Sequence, residues 1–219
     1  MFIGHFGLAL AAKKFAPSTS LGSLIFATEF VDLLWPACLL LGIEHVAIAP
    51  GITRMTPLNF TDYPISHSLL MVTVWSALVG GSYFLVRRYP RGAWVLAAGV
   101  FSHWILDWFT HRPDLAFYPG GTARFGLGLW NHPAAEGLLE TAIFAVGIAI
   151  YLTSTRARDR IGSVAFWALM LMLFVGWLSA VLGPPPPSVN ALAWGSLSVW
   201  ITVPWACWAD KHRDLLIKP

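Results

Sequence analysis

Long apolar segments are the feature that most restricts how this chain can fold. An α-helix rises 1.5 Å per residue, so about 20 apolar residues cross the roughly 30 Å hydrocarbon core of a bilayer. Only 11% of the 219 residues are charged, against about 25% in soluble domains. The sequence therefore predicts one all-α domain over residues 1–219, a polytopic transmembrane bundle of about six spans. The predicted spans are 21–43, 65–86, 93–110, 134–155, 163–182 and 190–209.

A seventh apolar segment, residues 2–12, is too short to cross a bilayer alone. We predict a half-helix or re-entrant segment that ends at Lys13 and Lys14. Because the lysines follow the apolar run and no basic residue precedes it, we do not expect a cleaved signal peptide. The two cysteines fall inside apolar runs and are expected to be buried free thiols.

The basic residues indicate how the spans are oriented. Eleven fall on one side of a six-span arrangement and three on the other, and lysine and arginine favour the cytoplasmic side. We therefore expect an inner-membrane protein with a cytoplasmic C-terminus and two long outer loops. A formal net charge of +3, divided among short loops, does not indicate nucleic-acid binding. The eleven are Lys13, Lys14, Arg87, Arg88, Arg91, Arg156, Arg158, Arg160, Lys211, Arg213 and Lys218; the three are Arg54, Arg112 and Arg124.

Polar residues interrupt the third apolar segment at helical spacing. His103, Asp107 and His111 are four residues apart, so on a helix they lie on one face. An aspartate at mid-helix costs roughly 2.5–3.5 kcal/mol on insertion scales, so a partner inside the protein must compensate for it. We expect His103 and Asp107 within the span and His111 at the boundary with the outer loop.

The predicted orientation places further histidines and carboxylates at one depth. His67 begins the second span, Asp32 lies near the middle of the first, and His5 reaches a similar level if the half-helix rises from its lysines. Three glutamates complete this outer-half layer. They are Glu29, Glu136 and Glu140.

A divalent metal is the chemistry that best explains imidazoles and carboxylates in a dry pocket. Nitrogen and oxygen ligands suit zinc above all, with iron or manganese as alternatives. No cysteine lies near the layer, which argues against a thiolate site. His103 and Asp107 could share one ion, or one could orient the other. A metal with an open position activates water, and Glu29, Glu136 or Glu140 could serve as the general base.

Four motifs resemble those of bacterial membrane-bound metal-dependent hydrolases. They are His5 with small apolar neighbours, Val31-Asp-Leu-Leu-Trp-Pro36, Ser66-His-Ser-Leu69 and Ser102-His-Trp-Ile-Leu-Asp107. The resemblance covers roughly residues 1–110, and helices at about 134–209 are additional. It implies a metal-dependent hydrolase with metal ligands at His5, Asp32, His67, His103 and Asp107. Our first hypothesis is that the substrate is a lipid-like or periplasmic ester, phosphoester or amide.

Other interpretations of the same residues remain open. His103 and Asp107 could be a buried pair that only joins helices, since such intramembrane contacts average about 0.6 kcal/mol. The polar layer could serve a metal-ion or small-molecule transporter, although few acidic residues continue toward the cytoplasmic half. A non-catalytic scaffold is a third reading, and haem bound by His67 and His103 a fourth.

Overall fold

The computed structural model describes residues 1–217 and is mostly helical. Lys218, one of the basic residues used for the orientation, lies outside that range. Two short 3-10 turns also occur, at Leu129–Asn131 and Ser198–Ile201. The helices are Ile3–Ala12 (α1), Leu21–Thr28 (α2), Phe30–Leu40 (α3), Pro64–His67 (α4), Leu69–Arg87 (α5), Pro90–Thr110 (α6), Pro133–Ser154 (α7), Arg160–Leu182 (α8), Val189–Leu197 (α9) and Thr202–Lys211 (α10).

Six short strands form three separate antiparallel pairs between these helices. Two pairs belong to the long connections that precede α4 and follow α6, and the third joins the end of α7 to the C-terminal segment. The strands are His45–Ile48 (β1) with Leu58–Asp62 (β2), Leu115–Ala116 (β3) with Arg124–Phe125 (β4), and Thr155–Ala157 (β5) with Arg213–Leu215 (β6).

Within residues 1–217, three helices are long and apolar enough to cross a membrane: α5, α7 and α8. A fourth span results if α2 and α3 are counted as one bent segment. The structure confirms a helical chain with apolar spans but does not confirm six. The 21-residue helix α6 is long enough to cross a membrane, but its histidine and aspartate lower its mean hydropathy below that of a typical span. The predicted sixth span is divided into α9, a 3-10 turn and α10.

Local sequence signals explain where several helices begin and end. Ser20 and Ser68 accept hydrogen bonds from the backbone N–H groups of Ser23 and Met71, which caps α2 and α5. Helices α4, α6 and α7 each begin with a proline, whose missing N–H costs nothing at that position. Arg88, in the left-handed conformation, ends α5, so α5 and α6 form a tight hairpin.

The first predicted span is broken at Glu29. Helices α2 and α3 meet there at a bend of 56°, and Glu29 ends one helix and precedes the other. Irregular backbone at membrane depth is tolerated where protein surrounds it, and Glu29 is only 1% exposed. The break leaves the last carbonyl groups of α2 available to partners outside the helix.

The half-helix α1 is the predicted short N-terminal element, and it packs closely on α7. A Cβ atom placed on Gly147 would lie 2.1 Å from the carbonyl oxygen of Gly7, so the two backbones meet without side chains between them. Small residues permit such approach between membrane helices. This contact holds His5, two residues before Gly7, inside the bundle, where it is fully buried.

Candidate metal centre

Asp107 of α6 lies at the centre of a cluster of histidines. Its carboxylate is 2% exposed, and its Oδ2 atom faces the Nε2 atoms of His103, His111 and His67 at 3.2, 3.7 and 3.8 Å. These imidazoles come from α6, from the residue that follows α6 and from the end of α4. The structure thus places ring nitrogens from two separate segments of the chain around one carboxylate oxygen.

The second carboxylate of the cluster belongs to Asp32 in the first turn of α3. Its Oδ1 atom lies 3.3 Å from Nε2 of His67 and 3.7 Å from Nε2 of His103. The side chain of Asp32 is 31% exposed, whereas those of the two histidines are at most 5% exposed. The cluster is therefore accessible on the side of Asp32.

The break between α2 and α3 orients His103. Its Nδ1 atom lies 2.7 Å from the backbone carbonyl oxygen of Thr28, the last residue of α2. A carbonyl can only accept, so Nδ1 carries the proton and donates it. In a neutral ring, Nε2 then holds a lone pair directed at Asp32 and Asp107.

A buried relay orients His67 in the same way. Glu44 accepts the hydroxyl proton of Ser66 at 2.6 Å and the backbone N–H groups of Ile65 and Ser66 at 2.7 and 2.8 Å. Because the Ser66 hydroxyl donates its proton to Glu44, the Ser66 oxygen is the acceptor of the hydrogen bond from Nδ1–H of His67 at 2.6 Å. The lone pair of His67 therefore also lies on Nε2, the nitrogen that faces the carboxylates.

His111 is held by a third buried acceptor. Its Nδ1 atom lies 2.9 Å from Oδ1 of Asp114, which also accepts the hydroxyl proton of Tyr63 at 2.6 Å. Arg112 pairs with the other oxygen of Asp114 at 3.2 Å. Burial, together with the adjacent Asp114 carboxylate, raises the pKa of the Tyr63 hydroxyl, so Tyr63 remains a donor. His111 thus also directs Nε2 toward Asp107.

Three imidazoles consequently present unprotonated nitrogens to carboxylate oxygens, an arrangement that a cation between them would stabilise. A divalent ion would accept lone pairs from both residue types without placing several imidazolium groups at close range. Zinc bonds of 2.0–2.2 Å at tetrahedral angles separate donor atoms by about 3.3–3.6 Å. The five nitrogen–oxygen separations within the cluster are 3.2–3.8 Å, so these residue types could hold a metal of the zinc, iron or manganese class.

His5 adds a fourth imidazole from α1. Its ring stacks on that of His103, with centroids 3.7 Å apart and planes within 3°. Its Nε2 atom lies 3.2 Å from Oδ1 of Asp107, and the α-amino group of Met1 lies 2.8 Å from the same oxygen. Candidate ligand atoms lie within 4.8 Å of one another in two groups that share His103. The groups are His5, His103 and Asp107, and Asp32, His67 and His103.

The three predicted glutamates lie outside both groups found among residues 1–217. Glu140 accepts the backbone N–H groups of Phe2 and Gly4 at 2.8 and 3.1 Å and so anchors the start of α1. Glu29 and Glu136 are buried. In the described part of the chain, Oε1 of Glu29 and both carboxylate oxygens of Glu136 have no hydrogen-bond partner.

All five predicted ligands meet in one cluster, but several contributing residues were not assigned from the sequence. His111 was expected at the loop boundary, yet it is 3% exposed and faces Asp107. Its spacing of four residues from Asp107 and three from Asp114 was the available signal. Glu44 had no such signal, because its partners lie more than 20 residues away.

Comparison with known proteins gives one match. A model of the YdjM inner membrane protein family matches residues 56–183, a range that includes His67, His103, Asp107 and His111. No curated protein and no solved structure matches the chain.

Proposed function

This chain belongs to the YdjM family of inner membrane proteins, and on that premise we propose that it is a membrane-embedded metal-dependent hydrolase. The observation that carries the proposal is the direction of the imidazole lone pairs. His67, His103 and His111 each donate Nδ1–H to an oxygen elsewhere and turn Nε2 toward Asp107. A histidine fixed in this way is the usual arrangement at protein metal sites.

Asp32, His67 and His103, one of the two candidate groups, would hold the ion, with Asp107 and His111 beside them. A bound divalent metal supplies a polarising charge and lowers the pKa of bound water toward about 7. In hydrolysis, the substrate would approach at Asp32, whose side chain is the partly exposed member of the cluster. The buried histidines on the far side would keep bulk water away.

Glu29 is the best placed of the predicted bases. It lies three residues before Asp32, at the bend between α2 and α3, and its Oε1 has no hydrogen-bond partner among the described residues. A carboxylate in this position can take a proton from an attacking nucleophile and return it to a leaving group. Glu140 is already engaged by two backbone N–H groups, so we assign it the positioning of α1.

We further propose that the site faces the outer half of the membrane and that the C-terminus is cytoplasmic. At the end of the bundle opposite the site, several of the segments that connect the helices contain basic residues and contact one another. Lys13 pairs with Asp210 at 2.6 Å, and β5, which contains Arg156, pairs with β6, which begins at Arg213. A single basic end supports the positive-inside assignment. The substrate would then be a lipid-like or periplasmic ester, phosphoester or amide.

Elemental analysis of detergent-purified protein tests the metal proposal directly. Wild-type protein prepared without chelators should contain about one or two zinc-class ions per chain, and His103→Ala should contain less than a tenth of that amount. His45→Ala is a matched control, because the side chain of His45 is 61% exposed and belongs to neither candidate ligand group. Metal-free wild-type protein, or equal metal loss in both variants, would contradict the proposal.

Activity assays then separate a hydrolase from a transporter that uses the same residues. We expect detergent-solubilised, metal-loaded protein to cleave chromogenic acyl or phosphate esters, and His103→Ala to be inactive. The transporter reading instead predicts uptake of a labelled ion into proteoliposomes, with no product released. Ion uptake without substrate cleavage would contradict the hydrolase proposal and support a transporter.

A further inference from the structure

A groove separate from the metal cluster lies between α2 and α5, with Leu96 of α6 among its lining residues. Its volume is about 720 Å³, within the usual range for sites that hold small molecules. One end is walled by apolar side chains from α2, α3 and α5. These are Phe26, Phe30, Trp75, Leu78 and Val79.

The other end of this α2–α5 groove is polar. Hydroxyl groups line it where α2 begins and α5 ends, and the exposed guanidinium of Arg87 stands at its mouth. The hydroxyl-bearing residues are Ser18, Ser20, Ser23, Ser82 and Tyr83. From Trp75 to Arg87 the helix advances about 18 Å at 1.5 Å per residue, slightly more than the roughly 15 Å of one hydrocarbon leaflet.

The charge at the mouth of the α2–α5 groove favours an anion. Arg87, Arg88 and Lys14 are exposed, and Arg87 forms no ion pair with any residue in the range 1–217. Asp210 also lines the groove, but it is engaged by Lys13 Nζ at 2.6 Å and by the hydroxyl of Tyr151 at 2.7 Å. The lining therefore presents uncompensated positive charge.

We infer that the α2–α5 groove binds an anionic phospholipid of the cytoplasmic leaflet. One acyl chain lies along Phe26, Phe30 and Leu78, and the headgroup phosphate lies at Arg87 among the serine hydroxyls. An apolar groove about one leaflet long, lined by the exposed side chain of Leu78, suits an acyl chain. The basic mouth then selects a lipid with net negative charge over a zwitterionic one, because basic residues near the membrane surface attract anionic lipids.

Native mass spectrometry of the intact protein can test this inference. Protein taken from nanodiscs of equal parts dioleoyl-phosphatidylglycerol and dioleoyl-phosphatidylcholine should retain the anionic lipid at least fivefold in excess. Arg87→Gln should reduce that retention about fivefold, the change expected from one basic residue near the surface. Arg160→Gln removes an equal charge at the start of α8, outside the groove, and should leave retention unchanged.

A second pair of variants tests the acyl-chain position. Leu78→Trp fills the α2–α5 groove and should abolish preferential retention, whereas Ala77→Trp adds the same ring to an exposed position of α5 that does not line the groove. Equal retention of the two lipids by wild-type protein would overturn the inference. So would equal losses in Arg87→Gln and Arg160→Gln, or full retention in Leu78→Trp. Should Leu78→Trp fail to fold, the two arginine variants still decide.

Discussion

The Nδ1 atom of His103 lies 2.7 Å from the carbonyl oxygen of Thr28 and donates its proton there. That carbonyl is available because α2 ends at Thr28, where the helix breaks and bends by 56°. The same imidazole directs Nε2 to Asp107, 3.2 Å away and one turn further along α6. A break in one membrane helix therefore determines which nitrogen of a neighbouring helix faces the candidate metal centre.

Ser66→Ala removes the acceptor that orients His67. Without it, the ring loses its fixed tautomer, and we expect metal affinity to fall 10–100-fold, the usual effect of losing such a partner. Competition with a chelator of known affinity would measure the change. Ser102→Ala is the matched control, since Ser102 precedes His103 but its hydroxyl donates to the Gly99 carbonyl of its own helix. Equal affinities of Ser66→Ala and wild-type protein would contradict the relay.

His111→Ala tests the histidine that was expected at the loop boundary. Because its Nε2 lies 3.7 Å from Asp107 Oδ2, we expect at least a tenfold weaker retention of the ion during dialysis against chelator. His132→Ala, at an exposed position, should behave as wild type. If His111→Ala retains the ion as wild type does, His111 only stabilises the loop that follows α6.

Glu29→Gln separates a general base from a ligand. The amide keeps the shape of the side chain but cannot take a proton, so we expect a 10²–10⁴-fold loss of hydrolysis with metal content unchanged. Product formation and elemental analysis of the same preparation measure both quantities. Asp62→Asn, an exposed carboxylate, serves as the control. Loss of metal together with activity would make Glu29 a ligand instead.

Gly147→Val tests the close contact that places α1. A Cβ atom there would lie 2.1 Å from the Gly7 carbonyl, so α1 must move, and we expect destabilisation by about 1–3 kcal/mol, as for other overpacked sites. Thermal unfolding in detergent and metal content are the measurements, since His5 moves with α1. Gly176→Val in α8 should change neither, because no other helix among residues 1–217 lies within 4 Å of the added Cβ atom. Equal unfolding midpoints for Gly147→Val and wild-type protein would refute a tight α1–α7 contact.

The amino-acid sequence alone predicted most of the helices and several of the polar residues that meet in the cluster. Apolar runs of about 20 residues have few alternatives to membrane helices, and α5, α7 and α8 are such helices. Spacing by four residues placed His103 and Asp107 on one face of α6. The scarcity of mid-membrane basic partners made acidic residues such as Glu29 and Asp32 conspicuous. These are local signals, which a single segment carries by itself.

Only the tertiary structure decided how these segments meet. It broke the first predicted span at Glu29 and the sixth at residues 198–201, because packing against neighbouring elements outweighs local helix preference. It also brought Glu44 to Ser66, 22 residues away, and Tyr63 to Asp114, 51 residues away. Those contacts fix the proton positions on His67 and His111, and no local pattern specifies them. The sequence determined which ligand types were present, whereas long-range hydrogen bonds determined where their lone pairs point.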